Sequence, residues 1–389
     1  MASYDFNQVV NRKNTSSVKW ELTKEIFGTS DVLPMWVADM DFESPIEVKE
    51  AIQKRLNHGI FGYTYSSPSV SKAVQAWVKN RHGWDIELSW IKFHSGIVPA
   101  ISTAIQALTN PGDKVMLQSP VYTPFFTMIE KNNREVVNSP LLLVNNRYEI
   151  DFSQFEENLK NGVKLFLLCN PHNPGGRVWT EAELRQIAEL CQKYNCLILA
   201  DEIHSDLIFK PNRHIPIASL NEQYKDFILT CIAPTKTFNI AGLQASAVII
   251  ANPSIRKSFE ATLAKQGLHG LNIFGIIALE ASYRYGEQWL EELLPYLKEN
   301  VDIAREYIAN HIPKINFINP DGTYLLWLDC RNLGLSDQEI RESLLQKGKL
   351  ALEPGMKYGP GGEGFVRMNI ACTRNTLLDG LERLKIAFE

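Results

Sequence analysis

The chain has 389 residues, of which 45% are hydrophobic, and a formal net charge of −4. This length and composition suit a large globular enzyme of one or two domains. The slightly acidic balance argues against nucleic-acid or anionic-membrane partners, and no apolar run approaches the roughly 20 residues of a membrane helix.

The six cysteines form neither a CxxC pair nor a regular framework. In a chain this long they are expected to be reduced core thiols of a cytoplasmic protein. Residues 1–7 lack both a basic start and an apolar stretch, so secretion is not expected.

The first hundred residues begin with a turn-rich segment, 1–45, that shows no strong period. Helices are predicted from Ile46 to about Gly59 and from Ser71 to Arg81. The intervening loop, Phe61–Pro68, carries tyrosines that look exposed. Ile91–His94 then reads as a short strand that leads through Ser95 and Gly96 into a helix ending near Leu108.

From there strands and helices alternate, which predicts a mostly parallel sheet with helices on both faces. The expected strands are Lys114–Gln118, Lys164–Cys169, Leu197–Ala200, Phe227–Cys231 and Ala245–Ile250. Helices are predicted over Tyr122–Asn132 and from a Thr180/Glu183 capping box to Tyr194.

The pattern changes near residue 290, where a long helical stretch around Tyr283–His311 is predicted to lead into a second domain. Gly322–Leu328 and Phe365–Ile370 are the strands expected there. The glycine-rich run 359–364 precedes a strand rather than a helix, so it is interpreted as a loop.

Three successive strand ends carry polar residues that can do chemistry: Asn173 in Asn-Pro-His-Asn-Pro-Gly-Gly-Arg, Asp201 in Ala-Asp-Glu-Ile-His, and Lys236 in Ala-Pro-Thr-Lys-Thr. The carboxyl ends of strands in an open α/β sheet face the ligand crevice. A lysine is usually a solvated surface residue, but these neighbours favour a functional one.

These segments, together with Arg367, resemble the pyridoxal-phosphate (PLP) enzymes of fold type I, the aspartate aminotransferase superfamily. The resemblance covers nearly the whole chain. It is closest to the branch of cystathionine β-lyases and related cysteine C–S lyases. The features of that branch are Asn11–Lys13, Lys19–Trp20, Trp36–Phe42 and His204 after Asp201.

The resemblance implies a large PLP-binding domain over 46–288 with a mostly parallel sheet flanked by helices. It also implies a smaller α+β domain built from 1–45 and 289–389, and a homodimer. The implied reaction is α,β-elimination of L-cystathionine or L-cysteine to pyruvate, ammonia and a thiol or sulfide. An aminotransferase with the same residues, or a regulatory binding protein that keeps the fold, remains an alternative. A nicotinamide dehydrogenase lacks support because no GxGxxG follows the first strand.

The catalytic roles implied by the resemblance fall on Lys236, Asp201 and Tyr122. Lys236 would bond covalently to the cofactor aldehyde, for which its amine must lose a proton. Asp201 would pair with the protonated pyridine nitrogen, because an ionised carboxylate keeps that ring electron-accepting. Tyr122 would stack on the ring, although a core aromatic is the commoner fate of such a tyrosine.

Other residues would hold the cofactor and the substrate. Asn173 would bond the phenolic oxygen of PLP, or else serve only as a turn residue. His204 stands where many aminotransferases carry tyrosine, and a core histidine is the alternative. Arg367 would clamp the substrate carboxylate with its planar fork. His94, His172 and His204 lack zinc-type spacing, so no metal is expected.

The phosphate would be held by backbone amides of Gly96, Ile97 and Val98 at a helix start and by the Thr235 hydroxyl. Gln244 stands where many relatives place a phosphate-binding arginine, which puts that contact in doubt. Tyr63 resembles the tyrosine that relatives donate across the dimer interface, and an ordinary turn tyrosine is its alternative.

Overall fold

A seven-stranded sheet organises the larger part of the fold in the computed structural model, which describes residues 4–268 and 270–389. Five neighbouring strands run parallel, and Ser246–Ile250 is antiparallel to both of its neighbours. In spatial order the strands are Ile91–His94, Ser246–Ile250, Ile228–Ile232, Leu197–Asp201, Leu165–Cys169, Lys114–Leu117 and Glu135–Asn138. The prediction of a mostly parallel α/β sheet is confirmed.

The central strands read as continuous apolar runs because helices cover both faces of the sheet. Leu165–Cys169, Ile228–Ile232 and Ser246–Ile250 are buried along their whole length. The helices of this part are Ile46–His58, Pro68–His82, Ile97–Leu108, Pro124–Lys131, Phe152–Lys160, Glu181–Lys193, Pro234–Thr237, Pro253–Lys265 and Ile273–Tyr285.

The capping box at the start of Glu181–Lys193 forms as expected. The Thr180 hydroxyl accepts from the Glu183 amide at 3.3 Å, and the Glu183 carboxylate accepts from the Thr180 amide at 2.7 Å. The exchange satisfies two amides that a helix start leaves without partners.

A four-stranded antiparallel sheet forms the smaller part, in the order Asn316–Ile318, Leu325–Asp329, Phe365–Asn369 and Glu353–Pro354. The strand Leu33–Pro34 pairs with Leu350–Ala351, so segments from both ends of the chain meet here. The remaining helices are Val18–Glu21, Thr23–Phe27, Glu287–His311, Asp337–Glu342 and Arg374–Phe388. The domain limits of 46–288 against 1–45 with 289–389 stay a prediction.

Several elements differ from the sequence-based expectation. The stretch Tyr283–His311 divides at Gly286, which ends Ile273–Tyr285 and precedes Glu287–His311. The hairpin Leu142–Val144 with Arg147–Glu149 was not predicted, because its outward residues are polar or exposed and show little period. The strand Glu135–Asn138 is also absent from the sequence-based prediction. It lies at the edge of the sheet, where its residues are exposed or only partly buried and show no clear period.

All six cysteines are free and buried, as expected. Among the described residues, no helix combines the length and apolar character needed to cross a bilayer.

Candidate active site

Three neighbouring parallel strands bring Asn173, Asp201 and Lys236 to one edge of the large sheet. Asp201 is the last residue of its strand, Asn173 follows Leu165–Cys169, and Lys236 lies in the helical turn after Ile228–Ile232. Parallel strands end on the same side, so their carboxyl ends share one crevice. The expected convergence of the three strand ends is therefore present.

Asp201 is a buried carboxylate without a bonded cation. Its one hydrogen bond within the described residues is accepted from the Ile203 amide at 3.2 Å. The pKa of Asp201 is raised to about 7, chiefly by burial and also by the neighbouring Glu202, although the Ile203 amide and Lys236 lower it. Such a group is stabilised as an anion by a cationic partner placed against it.

Lys236 is a half-buried amine whose protonated form is disfavoured. Burial lowers its pKa to about 8, and the Arg367 guanidinium adds to this, while Asp39 and Asp201 act in the opposite direction. Its Nζ donates a hydrogen bond to the Ala38 carbonyl oxygen. A lysine with a lowered pKa has more unprotonated amine at neutral pH, which is the form that attacks an aldehyde.

Arg367 comes from the smaller sheet and reaches the same crevice. Its Nη1 donates to Asn173 Oδ1 at 3.1 Å and its Nη2 to the Trp36 carbonyl oxygen at 2.9 Å. Its guanidinium carbon lies 5.4 Å from the Tyr358 ring centroid. Within the described residues its Nε is buried without a hydrogen-bond partner, so one donor remains for a substrate carboxylate.

Tyr122 and His204 add two uncharged rings to the surroundings of the site. Burial raises the pKa of Tyr122 to about 12, with Asp201 as the next cause. The pKa of His204 is lowered to about 3, chiefly by burial and also by the positive charges of Lys236 and Arg367. The His204 ring packs edge-on against Tyr324, with centroids 6.1 Å apart. His204 is thus a buried neutral imidazole within the electrostatic reach of the site.

The segment proposed to hold phosphate has the expected local structure. Gly96 precedes the helix Ile97–Leu108, so the first amides of that helix, including those of Ile97 and Val98, have no partner within its hydrogen-bond ladder. Thr235 is buried in the turn that carries Lys236. Gln244, eight residues after Lys236, is exposed in a left-handed conformation with φ 55°, and its side chain carries no charge.

Tyr63 is not brought to the other residues within one chain. It lies on the loop between Ile46–His58 and Pro68–His82 with its side chain fully exposed. Ile60, Phe61 and Tyr65 beside it are also exposed. Clustered exposed apolar residues of this kind are typical of interaction surfaces.

The segment Trp36–Phe42 contributes contacts that the sequence did not predict. Its carbonyl groups accept hydrogen bonds from Lys236 and Arg367, as described above, and the Tyr324 hydroxyl also donates to the Ala38 carbonyl at 3.2 Å. The Trp-Val-Ala-Asp-Met-Asp-Phe motif is one of the features that resemble the C–S lyase branch, but residue type does not reveal backbone contacts. Its role therefore needed the structure.

The groups in the crevice match the chemical groups of PLP. It offers a buried carboxylate with no bonded cation for a pyridinium, a lysine amine with a lowered pKa for an aldehyde, and free helix-start amides for a phosphate. These three features fit the cofactor. Within the described residues, no group of three or more His, Cys, Asp or Glu side chains is arranged to hold a metal ion.

The family model of aminotransferase class I and II matches residues 30–384. The chain is 49% identical to cystathionine beta-lyase PatB of Bacillus subtilis (strain 168), covering 98% of this chain and 99% of that protein. The chain is 45% identical to a PLP-bound protein of Clostridium difficile 630 that is named as an aminotransferase. The two structures superpose with a TM-score of 0.98, covering 100% of both chains. The PLP-bound C–S lyase of Staphylococcus hominis is 31% identical at TM-score 0.92, covering 99% of each chain.

Proposed function

The chain belongs to the aminotransferase class I and II family, with the fold of type I PLP enzymes, and we propose that it is a C–S β-lyase of the cystathionine β-lyase type. It cleaves L-cystathionine or L-cysteine by α,β-elimination and yields pyruvate, ammonia and a thiol or sulfide. The observation that carries this function is the 49% identity with a cystathionine β-lyase along nearly the whole of both chains.

PLP, when bound, supplies an electron sink for the negative charge that forms at the substrate α-carbon. Lys236 would bond its aldehyde, Asp201 would pair with its ring nitrogen, and Asn173 would bond its phenolic oxygen. Tyr122 would lie against its ring beside His204. The amides of Gly96, Ile97 and Val98 with the Thr235 hydroxyl would hold its phosphate.

Lys236 does the proton chemistry in this proposal. Once free, its amine takes the α-proton of the substrate, and the lowered pKa of about 8 keeps a useful fraction unprotonated at neutral pH. Loss of the β-thiolate follows. The Lys236 ammonium can then return its proton to the departing sulfur, so the residue acts as base and then as acid.

Arg367 orients the amino-acid substrate. Its guanidinium is already held by Asn173 and by the Trp36 carbonyl, so the fork is ordered before substrate arrives. The unpartnered Nε, with a nitrogen of the same fork, can bond a carboxylate bidentately. A fixed carboxylate places the α-hydrogen toward Lys236 rather than toward solvent.

An aminotransferase reaction is the second candidate, because the Clostridium difficile relative carries that name and the same residues would serve it. The two functions separate in an assay of purified protein with L-cystathionine or L-cysteine and no added keto acid. A lyase releases pyruvate and thiol over many turnovers. Product formation that requires a keto acid acceptor would assign the chain to the aminotransferases instead. Lys236→Ala serves as the inactive control.

A homodimer with a shared active site is part of the proposal. The exposed loop around Tyr63 supports it, since that tyrosine would reach the phosphate of a neighbouring subunit. The free buried cysteines support a cytoplasmic location, where thiols stay reduced. Hydrogen sulfide would be the product wherever L-cysteine is the substrate.

A further inference from the structure

The irregular segment Trp36–Phe42, here called the strap, crosses the active site and is held there by side chains. Arg367 bonds the Trp36 carbonyl, and Lys236 bonds the Ala38 carbonyl. The strap therefore links the amine that does the chemistry with the arginine that would orient the substrate. Each of the two side chains thus has one hydrogen bond that depends on the position of the strap.

Two asparagines hold the strap by hydrogen bonds to its backbone. Asn239, three residues after Lys236, accepts from the Met40 amide at 2.9 Å and donates to the Met40 carbonyl at 3.0 Å. Asn369 donates to the Asp39 carbonyl from the smaller sheet. These bonds hold the backbone, but they leave the two carboxylates of the strap to be neutralised.

Arg12 and Lys19 neutralise those carboxylates. Arg12 forms a fork with Asp39, at 2.9 Å and 2.6 Å, and reaches Asp41 at 2.8 Å. Lys19, with 1% of its side chain exposed, lies 2.6 Å from Asp41 and 3.7 Å from Asp39. Arg12 is thus the bidentate partner of Asp39, and Lys19 is chiefly the partner of Asp41.

The negative charge of Asp39 also acts on Lys236 and raises its pKa. It acts on Lys236 together with Asp201, and both carboxylates favour the protonated amine, whereas Arg367 disfavours it. His204, whose pKa Lys236 helps to lower, is buried and neutral. A carboxylate at this place would hold a proton on Lys236 unless a cation balances it.

We propose that Arg12 is a positioning residue of the active site that acts through Asp39: its guanidinium seats the strap and balances the carboxylate that faces Lys236. Within the described residues the Arg12 guanidinium bonds Asp39, Asp41 and the Met40 carbonyl, and neither Lys236 nor Arg367 is among its partners. The inference relies on Lys236 as the reactive amine of the proposed function, but not on whether the reaction is elimination or transamination.

The test follows how fast PLP bonds to the cofactor-free full-length protein as the pH is varied, read from its visible absorbance. In the wild type the rate rises with pH as Lys236 loses its proton. Arg12→Met is expected to move the midpoint up by about 0.5–1 pH unit, which is roughly a three- to tenfold slower reaction at pH 7. Arg305→Met, which breaks an exposed arginine–Asp302 pair, is the matched control and should leave the midpoint unchanged.

The double variant decides whether Arg12 acts through Asp39. Asp39→Asn should lower the midpoint, and Arg12→Met combined with Asp39→Asn should behave like Asp39→Asn alone. A double variant that keeps the full upward shift, or an Arg12→Met rate that falls equally at every pH, would overturn the proposal. Should Arg12→Met not fold, Asp39→Asn still tests it, because an unchanged midpoint in that variant contradicts the role given to Asp39. Failure of the lyase assay would leave this readout intact, so the two proposals fail separately.

Discussion

At Asp201, burial and function impose opposite demands. The carboxylate must be ionised to pair with a pyridinium, yet burial raises its pKa from 3.8 to about 7 when no cation is bonded. The cofactor-free protein therefore carries a destabilising anion at neutral pH. PLP binding would supply the cation that makes ionisation favourable.

This conflict predicts a pH-dependent gain of stability in cofactor-free Asp201→Asn. Because the folded pKa lies above the unfolded one, the folded state binds more protons between about pH 4 and 7, and wild-type stability falls as the pH rises through that window. At pH 8 the variant should be more stable by roughly 2–4 kcal/mol, and the advantage should shrink toward pH 4. Urea unfolding across pH measures it.

In the PLP-bound enzyme, the same substitution should impair catalysis. Asp201→Asn cannot hold the ring nitrogen in its protonated form, so turnover should fall by several orders of magnitude while PLP stays bound. Near-normal turnover with bound PLP would remove Asp201 from the role proposed for it. A stability gain that is absent at pH 8 would instead show that burial does not penalise the ionised carboxylate.

Lys236 yields a direct spectroscopic prediction. The wild-type protein should be yellow because PLP is bonded to this amine, and Lys236→Ala should lose that absorbance although PLP can still be held by its other contacts. Borohydride reduction followed by peptide mapping identifies the bonded lysine. Attachment at a different lysine would contradict the assignment.

Among the structural elements, the helix Pro68–His82 is tied to the turn that carries Lys236 through one buried carboxylate. Asp206 accepts from Trp77 Nε1 at 3.1 Å and from Thr237 Oγ1 at 2.9 Å, and it pairs with His82 at 3.0 Å. The helix and the turn thus meet at one side chain, with two of its three partners on the helix. An asparagine here would keep one acceptor oxygen, but it would replace the other with an NH2 donor and remove the charge opposite His82.

Asp206→Asn should therefore lower the free energy of unfolding by about 2–4 kcal/mol. The matched control is Asp85→Asn, since Asp85 forms a surface pair with Lys79 and both side chains are more than half exposed. That change should cost about 0–1 kcal/mol. Equal losses in the two variants, measured by urea unfolding, would show that the Asp206 junction adds nothing to stability.

At the scale of the whole molecule, Tyr63 could contribute to an active site only in an assembly of two chains. Within one chain it is fully exposed and separate from the site, so a role at the phosphate requires a second subunit. The exposed Gln244 supplies no charged contact, which makes each remaining phosphate donor more valuable.

Mixing two inactive variants tests the shared site. Tyr63→Ala and Lys236→Ala should each have little activity, because each lacks one part of every active site. After subunit exchange, a heterodimer contains one site with both Tyr63 and Lys236, so activity should reappear. Exchange is verified by mass spectrometry of differently tagged chains. No recovery after verified exchange would make Tyr63 an ordinary loop residue.

Local pattern was enough to predict the alternation of strands and helices, the Thr180/Glu183 capping box and the polar residues at three strand ends. These features depend on side-chain period and on hydrogen bonds between residues close in the chain. Because parallel strands end on one side of a sheet, Asn173, Asp201 and Lys236 could be expected to converge. Their roles toward PLP came from resemblance and stay a prediction.

Packing between distant segments decided the rest. The strap contacts Lys236 through a backbone carbonyl, and any residue type carries such a group. The ion cluster joins Arg12 and Lys19 to Asp39 and Asp41, and nothing in their spacing pairs one charge with another. The pKa values of Asp201 and Lys236 depend on burial and on charges folded against them from elsewhere in the chain. Residue types determine which chemistry is available, whereas tertiary packing determines solvent access and the charges each group meets.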